Sequence, residues 1–278
     1  RKHFDLYFKV SPLLTIDGVP DASPLRSEVL DGVDILVARE NTGGLYQGSW
    51  DEHESNVGTV AGHRCTYSER QVSRFLYASA RLAKERRGEL TVIWKEAGLP
   101  SLSRLWRKCA EEVAGAMGVR LRLVDIDLMA YQLVCHPADF DVIAAPNLFG
   151  DVLADLGAVL LGSRGVSYSG NYTECGHAVY QTNHGAAYDL AGSDRANPAG
   201  QILSAALMLR ASFGLESAAA AIEEALRQVW SEGWRTADVA RPGCRLIGTQ
   251  EMGRRVAGCA AEIACQSNSA IEFRSRVA

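Results

Sequence analysis

Two aspartates four residues apart, Asp151 and Asp155, stand in the stretch Asn147-Leu148-Phe149-Gly150-Asp151-Val152-Leu153-Ala154-Asp155. On a helix that spacing puts both carboxylates on one face, where like charges repel. If the helix starts at Asp151, that side chain complements the helix dipole as an ordinary first-turn acid. Such capping gives no role to Asp155, which lies among Val152, Leu153 and Leu156. A divalent cation would relieve the repulsion, and hard carboxylate oxygens suit Mg²⁺ or Mn²⁺.

Three other groups of residues could do chemistry. The segment Arg39-Glu40-Asn41-Thr42-Gly43-Gly44-Leu45-Tyr46-Gln47-Gly48 follows the apolar run Asp34–Ala38. Loops at the C-terminal ends of strands are where α/β proteins bind ligands. Arg39 can fork a carboxylate there, and Tyr46 between glycines can reach a ligand; the bland alternative is a surface loop with a packed tyrosine. Lys95 follows the apolar run Leu90–Trp94. Desolvation at such a strand end would lower its pKa and suit it to act as a general base, whereas a lysine that snorkels to solvent stays protonated. The fourth group is His184-Gly185-Ala186-Ala187-Tyr188-Asp189-Leu190-Ala191-Gly192, followed by Ala196-Asn197-Pro198. Small residues let a backbone approach a flat ligand closely, although the segment also suits a plain connection. No G-x-G-x-x-G occurs, which argues against an ordinary Rossmann dinucleotide site.

The elements that must position these groups alternate. Asp34–Ala38, Leu90–Trp94, Val119–Val124 and Asp141–Ala145 are short apolar runs of strand type. Between them, residues 68–87 carry a Ser68/Gln71 capping box and an apolar face of Val72, Phe75, Leu76, Ser79, Ala80 and Ala83. Residues 101–117 repeat the helical spacing before Gly118, Leu128–Cys135 forms a shorter helix, and a further helix is expected from Asp151. Strand–helix alternation predicts an α/β layered fold. Two helices are expected within 199–231, split near Phe213-Gly214, and the periodicity fades over Cys259–Ala278, which suggests a loosely packed tail.

The chain has 278 residues, 47% hydrophobic and 22% charged, with a net charge of −4. That length supports one large core or two moderate ones. The mild acidity argues against nucleic acid as the main partner, and no apolar run reaches membrane-spanning length. Its seven cysteines include no C-x-x-C pair, so reduced thiols and a cytoplasmic setting are expected.

Taken in order, these motifs resemble the isocitrate/3-isopropylmalate dehydrogenase family of β-decarboxylating dehydrogenases. The resemblance rests on Arg39–Gly48, on Lys95 after a strand, and on Asp127 followed by Gln132-Leu133-Val134. It continues through Asn147–Asp155, His184–Gly192, Ala196-Asn197-Pro198 and Ile202–Arg210. It implies a two-domain α/β fold without the family's N-terminal strands, since the likeness starts about a quarter of the way into the family pattern. Residues 7–161 would form the small central domain with the dimer interface, and residues 1–6 and 162–278 the rest of the cofactor-binding domain. The implied activity is NAD-dependent, metal-dependent oxidative decarboxylation of a malate-type 2-hydroxy acid.

By the same resemblance, Asp127, Asp151 and Asp155 bind Mg²⁺ or Mn²⁺, while Arg1 and Arg39 grip substrate carboxylates. Lys95 is the base and Tyr46 the acid. His184, Gly185, Ala186, Asp189 and Asn197 hold the adenosine end of NAD. A carboxylate at Asp189 accepts from a ribose diol and repels a 2′-phosphate, which favours NAD over NADP. Lys95 and Asp127 would complete the site of a neighbouring subunit in a homodimer. Three positions depart from the pattern: Ser11 replaces a substrate arginine, Ala97 a common asparagine, and Tyr188 a common proline. They keep open a catalytically impaired or regulatory relative that dimerises with an active subunit; a third reading is a metal-dependent lyase or hydrolase that reuses the carboxylates.

Overall fold

The computed structural model describes the backbone of residues 2–14 and 22–277, and side chains over 3–14 and 22–266. Arg1, expected to grip a carboxylate, lies outside the described residues. The strands are β1 (Phe8–Leu14), β2 (Asp34–Glu40), β3 (Ser49–Ser55), β4 (Gly58–Arg64), β5 (Glu89–Trp94), β6 (Arg120–Asp125), β7 (Val142–Ala145), β8 (Tyr168–Tyr172) and β9 (Ala178–Thr182). Two short strands, β10 (Trp234–Arg235) and β11 (Arg245–Leu246), pair in parallel. The helices are α1 (Ser27–Leu30), α2 (Glu69–Lys84), α3 (Pro100–Met117), α4 (Ile126–Cys135), α5 (Asn147–Gly157), α6 (Ala199–Phe213), α7 (Glu216–Ser231) and α8 (Thr249–Val277).

The chain divides into two compact units. The first holds Arg1–Pro12, Val33–Gly157 and Asn171–Ala178; the second holds Leu13–Gly32, Ala158–Gly170 and Val179–Ala278.

In the first unit the strand order is β6-β5-β7-β2-β1. The first three pairings are parallel, as strand–helix alternation requires. β1 breaks that rule. The Asn41 amide donates to Tyr7 O at 2.9 Å and the Asn41 side chain to Leu6 O at 3.1 Å. The start of β1 therefore lies beside the end of β2, and the two strands run in opposite directions. Successive strand residues face opposite sides. On one side Phe8, Val10, Ala38, Val92, Val142 and Ala144 pack with Phe75 of α2 and Trp106 of α3. The Phe75 and Trp106 rings meet at 5.7 Å, and burying each side chain contributes about 2–3 kcal/mol. On the other side Gly150 of α5 lies against Arg39 of β2, where an added Cβ would come within 2.8 Å of the arginine's own.

α2 starts as expected: the Gln71 amide donates to Ser68 Oγ at 3.2 Å, and the Ser68 amide donates to Gln71 Oε1 at 3.0 Å. α3 ends at Gly118, whose φ of +69° suits a residue without a Cβ. In the second unit α6 and α7 turn at Gly214. Arg210 bridges them, donating to Glu216 at 2.9 Å and to Glu223 at 2.6 Å.

Three features differ from expectation. α5 begins at Asn147, a full turn before Asp151. β3 and β4 form an antiparallel hairpin, Ser49 opposite Arg64 and Ser55 opposite Gly58, that sequence reading missed. Its residues are nearly all exposed, so no face carries an apolar alternation. Finally, the segment expected to be a loose tail continues α8 to Val277. Residues 257–266 are largely exposed, and a helix without an apolar stripe shows no period. All seven cysteines are free thiols.

Candidate active site

Arg39 is the penultimate residue of β2, with only 2% of its side chain exposed. Its Nε donates to Asn147 Oδ1 at 2.8 Å, its Nη1 pairs with Asp151, and its guanidinium lies 5.4 Å from the centre of the Tyr46 ring. Arg39, Tyr46 and Asp151, all singled out in sequence, are thus brought together.

Asn147 connects them to the loop. Its Nδ2 donates to Gly43 O at 2.8 Å, and its backbone amide donates to the Tyr67 hydroxyl at 2.9 Å. Burial pushes the Tyr67 hydroxyl well above the usual tyrosine range, so it stays neutral. The fully buried Glu40 carboxylate accepts from the Thr42 amide (2.9 Å), the Thr42 hydroxyl (2.7 Å) and the Gly43 amide (2.8 Å), which ties the loop into a closed turn. Gly44 has φ +71°, and any Cβ there would run into the Tyr67 ring. Gly44→Ala is expected to cost about 2–3 kcal/mol, because strain in the left-handed region adds to overlap. The check is the midpoint of urea unfolding, and a shift below about 0.5 kcal/mol would dismiss the overlap.

Sequence reading missed the roles of Asn147, Tyr67, Glu40 and Gly150. Asn147 and Gly150 stood inside the motif that was noticed. Tyr67 had no signal of its own, since its partners lie far away in the chain.

Asp151 and Asp155 occupy the fifth and ninth positions of α5, and no acid stands in its first turn. Dipole capping therefore explains neither. Two carboxylates one turn apart suit a hard divalent cation, but Asp151 is here ion-paired with the buried Arg39 of β2, a cation that competes for its oxygens. One chain does not assemble three such ligands: among the described residues no group of three or more His, Cys, Asp or Glu could hold a metal.

Asp127 belongs to a different cluster. Lys95 Nζ donates to Asp127 Oδ1 at 2.6 Å, with Asp125 at 3.9 Å. This pairing raises the Lys95 pKa and lowers that of Asp127. The expectation of a desolvated lysine with a depressed pKa is corrected accordingly. The end of β5 meets the end of β6 and the first turn of α4, where Asp125 and Asp127 hold the ammonium in its charged form.

In the second unit, His184, Ala186, Ala187, Leu190, Asp194 and Gln250 line a cleft of about 360 Å³. Asp189 is exposed and Tyr188 is 88% exposed beside it. Ala187 takes φ +46°, a left-handed conformation unusual for a residue other than glycine. Asn197 is buried; its Oδ1 accepts from the Ala199 amide at 2.9 Å and its Nδ2 donates to Asp238 at 3.1 Å, so it organises the start of α6.

Over residues 1–256 the sequence matches the isocitrate/isopropylmalate dehydrogenase family. The chain belongs to that family. Its similarity to the 3-isopropylmalate dehydrogenase of Moorella thermoacetica is 40% identity over 257 residues, covering 92% of this chain and 71% of that one. The Geobacillus kaustophilus enzyme of the same name is 41% identical over 254 residues, covering 91% and 68%. Among solved structures, isocitrate dehydrogenase from Methylococcus capsulatus superposes with a TM-score of 0.83 at 28% identity, covering 92% of this chain and 73% of that one. A Thermus thermophilus protein, TT0538, gives 0.82 at 29% identity, and the chain spans 51% of it. The isocitrate/isopropylmalate dehydrogenase fold expected from the motifs is thus the fold observed. Among the described residues no helix is long and apolar enough to cross a membrane.

Proposed function

We propose that this chain catalyses NAD-dependent, divalent-metal-dependent oxidative decarboxylation of a malate-type 2-hydroxy acid, at sites completed by two copies. The observation that carries this reading is the buried Arg39, held by Asn147 and Asp151 beside Tyr46 at the end of a strand. A guanidinium so placed can fork a substrate carboxylate. Asp151 and Asp155, with Asp127 of a second copy, would hold Mg²⁺ or Mn²⁺; that ion supplies Lewis-acid polarisation of the hydroxyl and its neighbouring carboxylate.

Lys95 of the second copy would take the hydroxyl proton, and a bound nicotinamide would supply the hydride acceptor. Doing so requires release from Asp127, because the present pairing keeps its proton on. Tyr46, half-exposed against Arg39, returns a proton to carbon after CO₂ leaves. The cleft lined by His184, Ala186 and Ala187, with Asp189 exposed next to it in sequence and Asn197 organising the start of α6, would take the adenosine end of NAD.

The test is NADH absorbance during a screen of 2-hydroxy diacids (malate, 3-isopropylmalate, isocitrate, tartrate) with Mn²⁺. No NADH from any of them, while Mn²⁺ and NAD each raise the melting temperature, would replace this reading with a non-catalytic relative. Asp189→Lys is expected to shift the kcat/KM ratio at least tenfold from NAD toward NADP, by exchanging repulsion of a 2′-phosphate for attraction. An unchanged ratio would remove Asp189 from the ribose site.

A further inference from the structure

We propose that Lys9 is a second substrate-binding cation beside Arg39, one that makes the site selective for a dianionic hydroxy acid; the inference rests on the function proposed above. Lys9 is 3% exposed in β1. Its strand neighbours Phe8 and Val10 face the core formed with α2 and α3, so Lys9 and Ser11 face the opposite side of the sheet. Arg39 faces that side too, because Ala38 belongs to the same core. The register follows from the hydrogen bond between the Asn41 amide and Tyr7 O. In antiparallel strands, two residues beyond Tyr7 stands opposite two residues before Asn41, which places Lys9 across from Arg39. Directly opposed residues on one face have Cβ atoms about 5 Å apart.

Two buried cations side by side repel and lose hydration, so they persist where anions answer them. The anions supplied here by α5 are Asp151, paired with Arg39, and Asp155 one turn on. Two positive and two negative side chains cancel. Asp127 and Lys95 of the second copy cancel each other, so a divalent cation taken up by the aspartates leaves the group two charges positive, and a dicarboxylate restores neutrality. Lys9 then donates from Nζ to one carboxylate while Arg39 forks the other. Ser11, buried on the same face, brings no charge, so Lys9 is the cation that β1 contributes.

The test uses the full chain with Mn²⁺, reading the thermal shift with malate against that with 2-hydroxybutyrate, which carries one carboxylate. The wild type is expected to be stabilised by malate and hardly at all by 2-hydroxybutyrate. Lys9→Met should weaken malate binding about 10–100-fold, the range of one charged hydrogen bond, and lose most of the preference while keeping its Mn²⁺ shift. Lys9→Arg should keep both, and Lys9→Gln gives the same reading if the methionine variant does not fold. Wild-type malate affinity in Lys9→Met would overturn the role of Lys9 alone. No malate response in the wild type would overturn the underlying function and this inference together.

Discussion

Asp151→Asn is expected to abolish stabilisation by Mn²⁺ and to lower kcat/KM by about 10³-fold or more. The exchange removes a charge while keeping shape and one hydrogen-bond acceptor for Arg39. An amide oxygen is a far weaker ligand than a carboxylate for a hard cation, and metal stabilisation of developing charge is worth several kcal/mol of barrier. Asp151 is also the ion-pair partner of Arg39, so the folded state loses part of that interaction; with the aspartate 42% exposed, the stability cost stays small. Melting curves with and without Mn²⁺, followed by initial rates, separate the two effects. An unaltered Mn²⁺ response would take Asp151 out of the metal site and leave it as the counter-ion of Arg39.

Asn147→Ala carries the largest expected cost to stability. It deletes the acceptor for Arg39 Nε and the donor to Gly43 O, both buried. Leaving a buried guanidinium N–H without its acceptor costs more than an ordinary hydrogen bond. Together the losses come to about 3 kcal/mol, measurable as a fall in the urea midpoint at unchanged slope. Activity should fall with it, because Arg39 loses the contact that fixes its plane. Asn147→Asp is expected to fall between, as it keeps the acceptor and loses the donor. A cost below about 1 kcal/mol would show that the loop and α5 are joined by something other than this side chain.

What could be read in sequence was local. The Ser68/Gln71 capping box and the stop at Gly118 depend on residues a few positions apart, and both stand as expected. From β2 to α5 the order of elements, the β3–β4 hairpin aside, also follows from apolar periodicity, whereas β1 was not read as a strand. The start of α5 was misplaced because Asp151 suits a first turn; the true start, Asn147, is selected by distant partners, Arg39 and Gly43. Pairing hid Lys95 in a similar way, since the aspartate that fixes its charge lies 32 residues on. The β3–β4 hairpin left no trace because its register is held by backbone bonds, with polar side chains on both faces. For the His184–Gly192 segment, the sequence offered only small residues that let a backbone approach a flat ligand; that part of the segment lines a cleft depends on residues as distant as Thr249 and Gln250. Nothing in the spacing indicated that Asn197 is bound to Asp238.

The turn closed by Glu40 bears on how any anion would be received at Arg39. Three donors already satisfy that carboxylate, and Asn147 anchors the neighbouring carbonyl from behind. A ligand arriving there meets a rim whose shape is set in advance, so little chain entropy is surrendered on docking and more of the contact energy shows as affinity. Discrimination between candidate acids then falls to charge and fit, since the rim does not remould itself around each of them.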